Sequence, residues 1–358
     1  MRLFLLILSL TLLPQMSPAK DLTLDRYLSD AFAAGRFNGV VLVADQTDTL
    51  YRAAQGFHDK ARNIALTPNS RFYLASPSKI FTAALILKLV EAEQISLNDS
   101  LGKYFPYLRR ELGEKITLHH LLSHQSGLPE FYEGLGPDFD LLAFIGQQHS
   151  LEEVIAYCQR DLLFPPGQGF KYTDTNYVYL TAIIEKVTGR PYAEVLETYI
   201  LKPLDLPNTG YFTGPQDNAA QLYMTMGARY TPAPYVSRDI AGGASAIYST
   251  ADDLVTFARA LYFGDFLQPD AKRLMRTKHA EEKGNFYGYA TWMVDYRSTK
   301  SGLTHAYYGH EGGPSLGVNS LVAVSPENQT ITIILSNIQI IDPEAIYSDV
   351  EDILHKSP

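Results

Sequence analysis

The chain has 358 residues, 46% of them hydrophobic and 19% charged, a globular composition that excludes a disordered or fibrous protein. Its formal net charge is −9 and no basic run occurs, which argues against nucleic-acid binding. Cys158 is the only cysteine, so an internal disulfide is excluded, and a core of this size needs neither a disulfide nor a metal to be stable.

At the start, Arg2 precedes an apolar stretch from Leu3 to Leu13. Ser17-Pro18-Ala19 then places small residues where a signal peptidase reads. This pattern predicts a signal peptide over 1–19 and export to the periplasm or the medium. The stretch is shorter than the ~20 residues a spanning helix needs, so no stable membrane span is expected after cleavage. An uncleaved anchor is the alternative reading.

Asn38 to Asp45 is rich in β-branched residues and predicts a buried strand, with Thr49 to Ala54 as its hairpin partner. From Ile80 to Glu93, the residues Ile80, Ala83, Ala84, Leu87 and Val90 recur at helical spacing. Ser76 sits where the N-cap of this helix belongs, and Pro77 where the first helical residue belongs. Lys79 lies one turn on and can share a face with Ser76. A serine hydroxyl needs a neighbouring base before it becomes a nucleophile, and a lysine can serve if burial lowers its pKa. The spacing alone fits a plain helix cap with a solvated lysine equally well. Ser17 to Lys20 repeats it.

Helical patterns follow at Leu118–Ser123, Leu151–Arg160, Tyr177–Val187, Tyr192–Tyr199 and Ala251–Leu261. Thr250 is a cap candidate, with Asp252 and Asp253 in the first turn after it. The period then returns to two. Val318–Val324 and Thr330–Leu335 flank a turn and predict an antiparallel hairpin. A last amphipathic helix carries Ile346, Val350, Ile353 and Leu354. Strands at both ends with helices between predict an α+β fold. One antiparallel sheet is built from both chain ends and flanked by helices, and the middle forms a mainly helical lobe. No linker divides the chain. A single domain over 20–358 is expected, with an α/β lobe from about 20–78 and 240–358 and a helical lobe from about 79–239.

Several motifs stand in a fixed order. They are Phe72-Tyr73-Leu74-Ala75-Ser76-Pro77-Ser78-Lys79, Ile116 to Pro129 (ITLHHLLSHQSGLP), Phe164-Pro165-Pro166-Gly167 leading to Tyr172-Thr173-Asp174, Gly242-Gly243 before Ser249 to Leu254 (STADDL), and Gly309-His310-Glu311-Gly312-Gly313. On these the chain resembles the serine β-lactamase and penicillin-binding protein superfamily, in the branch of class C β-lactamases, D-alanyl-D-alanine carboxypeptidases and related esterases. The resemblance implies a β-lactamase/transpeptidase-like fold with Ser76 as nucleophile, Lys79 as its activating base and Tyr172 as a proton carrier. It implies an oxyanion hole from the amides of Ser76 and Gly313. Asp174, His310 and Gly312 would shape the substrate end. Residue by residue the plainer readings are a core tyrosine at 172, among 24 in the chain, and a turn or bulge at the glycine pair.

Two departures matter. Asp174 stands where β-lactamases usually have asparagine, and a carboxylate cannot donate to a substrate carbonyl. It would pair with Lys79, hold it charged and shift the base role toward Tyr172. His310 stands where they usually have lysine, and a mostly neutral imidazole binds a substrate carboxylate less firmly. The expected activity is therefore hydrolysis of an ester or a D-amino-acid peptide or amide through an acyl-serine, on a small-molecule or peptide substrate, with no cofactor. Alternatives are a β-lactamase or D-alanyl-D-alanine carboxypeptidase, and a non-catalytic protein that binds cell-wall peptides or assembles with a partner. Oligomeric state is left open.

Two other motifs compete. Gly313-Pro314-Ser315-Leu316-Gly317 spells the nucleophile elbow of α/β-hydrolases, which needs a strand before it and a helix after it. A strand-like run follows instead, and His355 is the only later histidine. His119, His120 and His124 have the look of a metal cluster, but no glutamate sits between them in the zincin pattern.

Overall fold

A computed structural model of the chain describes residues 18–355 apart from 134, 137, 213, 215–218, 227–228 and 340–341. The expected signal peptide therefore lies outside the described residues but for its last two positions. There, helix α1 (Pro18–Ala33) begins.

Strands β1 (Gly39–Ala44) and β2 (Thr49–Gln55) form the expected hairpin. Short β3 (Phe72–Tyr73) leads to α2 (Ser78–Glu91). The middle of the chain supplies α3 (Leu118–Leu122), α4 (Leu151–Tyr157) and α5 (Asp174–Thr188). Then come β4 (Ile247–Ser249) and α6 (Ala251–Ala258), the latter capped by Thr250 Oγ1, which accepts from Asp253 N at 3.3 Å. Strands β5 (Ala280–Glu282), β6 (Asn285–Tyr287), β7 (Trp292–Arg297), β8 (Thr304–Ser315), β9 (Val318–Val324) and β10 (Ile331–Ser336) follow, and α7 (Pro343–His355) closes the chain.

The large sheet is antiparallel, in the order β5-β6-β7-β8-β9-β10-β1-β2. The N-terminal hairpin thus completes a sheet made by the C-terminal part of the chain, as expected. Helices cover both faces, so the central strands are apolar on both sides rather than alternating. Val40, Leu42, Val322 and Ile333 pack toward α2 and α6. Val41, Val43, Leu321 and Ile334 pack toward Leu24 and Leu28 of α1 and Ile346, Val350 and Leu354 of α7. Helix α2 is buried nearly all round, the mark of a core helix. Cys158 is a buried free thiol at the end of α4. Among the described residues no helix is long and apolar enough to cross a membrane.

Candidate active site

Helix α2 starts later than its sequence suggests. Its first residue is Ser78 and Pro77 is the N-cap, without a side-chain cap bond. Ser76 lies just ahead, in a run of i→i+3 turns: Ser78 N donates to Ala75 O (3.0 Å), Lys79 N to Ser76 O (2.9 Å) and Ile80 N to Pro77 O (3.0 Å). These tighter turns use the proline-bearing stretch to open the helix, which frees the Ser76 hydroxyl from capping. Ala75 before it has φ 55°, a left-handed conformation rarely adopted by a residue with a Cβ. The turn is held from both sides. Leu74 N donates to Ile247 O at 2.9 Å, and Ser320 Oγ on β9 donates to Leu74 O at 2.5 Å.

Lys79 points from the first turn of α2 into the protein and is 0% exposed. A buried ammonium is tolerated only when its donors are satisfied. Here all three are: Asp174 Oδ1 at 2.6 Å, Ala244 O at 3.1 Å and Ser76 Oγ at 3.2 Å. The Tyr172 and Tyr177 rings lie 4.9 Å and 5.6 Å from Nζ. Burial alone would lower the Lys79 pKa, but the Asp174 carboxylate and the Tyr172 phenol together outweigh it and raise it. The ion pair with Asp174 holds Lys79 in its ammonium form.

Tyr172 approaches from the segment before α5. Burial pushes its phenol up to about 12, while the Lys79 charge and hydrogen bonds with Lys79 and Ser76 pull the other way. Its hydroxyl lies 3.4 Å from His310 Nε2, and the Tyr287 hydroxyl lies 3.3 Å from the same nitrogen. His310 Nδ1 is 2.6 Å from Glu311 O, so Nδ1 carries the proton and Nε2 accepts. Burial, then the Lys79 charge, pushes His310 down to about 3. Sequence reasoning put His310 at the substrate end. In the structure it is 1% exposed, and both ring nitrogens lie within hydrogen-bond distance of protein groups, Nε2 of Tyr172 and Tyr287 and Nδ1 of Glu311 O.

Gly312 and Gly313 bring β8 to the serine. A Cβ on Gly312 would overlap the Leu74 carbonyl, the Ser320 hydroxyl and the Pro77 ring, so only glycine permits this approach. Gly313 has φ +110° at a bulge where the pairing of β8 with β9 shifts between Gly312 and Ser315. Ser315 ends β8, and Leu316-Gly317 turn directly into β9, so the elbow's strand–helix setting is absent.

The three histidines do not converge. His119 Nδ1 bonds the Tyr289 hydroxyl at 2.7 Å, and His120 closes a capping box with Thr117. His124 is fully buried, its Nδ1 accepting from Thr173 N at 3.3 Å and paired with Asn176 Nδ2 at 2.9 Å. Its ring lies 4.4 Å from that of Tyr172, so it props the phenol. Sequence reasoning also missed Tyr287, the Ala244 carbonyl and Glu130, whose Oε1 accepts from Asp174 N at 2.9 Å. Glu130 directly follows a quoted motif, and that adjacency was the one available signal.

Comparison with known proteins identifies the family of the chain. The family model described as beta-lactamase matches residues 24–353. Penicillin-binding protein 4* of Bacillus subtilis is 28% identical over 319 residues, covering 84% of this chain and 68% of that protein. Esterase EstB of Burkholderia gladioli is 26% identical, covering 80% of this chain and 85% of its own. The crystal structure of a D-stereospecific amidohydrolase from Streptomyces sp. superposes with a TM-score of 0.76 at 26% identity, covering 94% of this chain and 99% of that one.

Proposed function

Since the chain belongs to the beta-lactamase family, we propose that it is a serine hydrolase that cleaves an ester or a D-amino-acid amide through an acyl-enzyme on Ser76. The observation that carries this reading is the buried Lys79 ammonium, whose three bonds reach Ser76 Oγ, Asp174 Oδ1 and Ala244 O at once.

With Lys79 charged, the base is the Tyr172 phenolate, a minor form at neutral pH that the neighbouring ammonium favours. It takes the Ser76 proton as Oγ attacks the carbonyl carbon. The amides of Ser76 and Gly313 receive the oxyanion. The tetrahedral intermediate breaks its bond to the leaving oxygen or nitrogen, which takes the proton back from Tyr172. Water then attacks the acyl ester by the same route, releasing the acid and restoring Ser76.

Asp174 spends a carboxylate oxygen on Lys79 and offers no donor to a β-lactam carbonyl. His310 adds no cation to the site. Both favour esters and D-amino-acid amides over penicillins, and relatives include an esterase and a D-stereospecific amidohydrolase. We place the site at the seam of the two lobes, about 20–78 with 240–358 and about 79–239, in an exported protein.

Intact mass measurement after exposure to a fluorophosphonate, p-nitrophenyl esters, D-amino-acid amides and a penicillin tests the reading. One adduct on the wild type, absent from Ser76→Ala, is expected. No adduct, or an adduct unchanged in Ser76→Ala, defeats it. An adduct or turnover with penicillin alone points to a β-lactamase or carboxypeptidase.

A further inference from the structure

Glu130 is a buried carboxyl that the proposed chemistry does not use. It follows the loop Ser126–Pro129, which is stitched to the start of α5. Ser126 Oγ bonds Asn176 Oδ1 at 2.6 Å, and Thr173 Oγ1 donates to Pro129 O at 3.2 Å. Glu130 Oε1 accepts the amide of Asp174, the first residue of α5, at 2.9 Å. Its second oxygen is buried with no hydrogen-bond partner among the described residues. A carboxylate left in that state would be costly, whereas a neutral acid is cheaper to bury. The groups around it are Asp174 on α5, Lys79 on α2, Thr173, Tyr132 on its own loop and Cys158 at the end of α4. Glu133 Oε2 accepts from the backbone amide of Glu130 at 3.2 Å, and its Oε1 is paired with Lys171 at 3.0 Å.

We propose that Glu130 is a positioning residue that works as a neutral acid, fixing the first amide of α5 so that a single Asp174 charge stays aimed at Lys79. This rests on the acyl-serine reading above. Burial first, then the Asp174 charge, pushes Glu130 up to about 8, against the pull of the Asp174 amide, Lys79 and the Thr173 hydroxyl. Below that pH the pair Asp174–Lys79 faces no second anion. Above it a new carboxylate beside Asp174 further stabilises the Lys79 ammonium and disfavours the Tyr172 phenolate, so the base becomes harder to form. Glutamine has the same shape, accepts from the same amide and cannot ionise.

The test is the pH profile of kcat/KM on a p-nitrophenyl ester, with fluorophosphonate labelling alongside. In the wild type the rise of activity with pH is expected to break near 8, and in Glu130→Gln to continue through that point. Glu130→Ala leaves the Asp174 amide unsatisfied and is expected to lose about tenfold or more in kcat/KM at pH 7, with Glu130→Gln losing far less. If alanine does not fold, the wild-type and glutamine profiles still decide. A wild type that labels and turns over, but whose break persists in Glu130→Gln, overturns the role of Glu130 alone, as does a glutamine variant as impaired as alanine. A wild type that neither labels nor turns over ends the hydrolase reading, and the role of Glu130 with it.

Discussion

Lys79 and Asp174 meet at 2.6 Å across an asymmetric boundary: the ammonium is 0% exposed and the carboxylate 31%. The cation thus depends on a partner that water can still reach, and the two residues are not equivalent targets for substitution. Asp174→Ala strands a buried charge and is expected to cost about 2–3 kcal/mol, below the full figure for a wholly buried pair because Asp174 is partly solvated. Asp174→Asn keeps an acceptor for Nζ and should cost less. Urea unfolding of both variants checks the ranking, and equal losses would show that the pair contributes no more than its shape.

Tyr172 carries the second expectation. Its phenol is held near 12, so the reactive phenolate grows as pH rises from 6 toward 8. The logarithm of kcat/KM should climb with a slope near one over that range. Tyr172→Phe should lose about 10²–10⁴-fold together with the slope. A stopped-flow or plate assay corrected for spontaneous ester hydrolysis measures both. A flat profile that Tyr172→Phe leaves untouched would remove Tyr172 from the chemistry.

His310 couples stability to acid. An unfolded histidine binds its proton near 6.5, whereas His310 in the fold does so only near 3. The folded value is depressed, so its contribution is fully present above about pH 6.5 and is lost as pH falls toward 3. Between pH 7 and 5 the wild type should lose about 2 kcal/mol more than His310→Gln. Urea midpoints at the two pH values supply the comparison, and parallel losses would mean that His310 titrates normally.

The sequence carries its core elements openly and its site only in part. β1 is an unbroken apolar run and β9, β10 and α2 are mainly apolar, and burial on both sides leaves them no competing pattern. β8 is different. Its stretch THAYYGHEGGPS has no alternation, because the glycines serve the close approach to Leu74 and Pro77 rather than packing, so no period marks it as a strand. β5 and β6, with three residues each, are too short to give a period. The tight turns that open α2 were hidden because Ser76-Pro77 also suits a normal cap. Ser76, Lys79 and Tyr172 could be named from motifs. The tasks of His310, His124 and Glu130 could not, since each depends on a bond to a residue 44 to 138 positions away.

One feature of the sheet bears on how the molecule is made. β1 lies between β2 and β10, so the strand encoded near the start has its second neighbour encoded near the end. A ribosome releases the β1–β2 hairpin early, with one edge open, and that edge stays unpaired until Ile331–Ser336 has been synthesised. Such distant pairing makes closure a late, slow event. A growing chain is therefore kept from locking prematurely into its final shape, and truncation before Ile331 would leave an open, aggregation-prone edge rather than a smaller working protein.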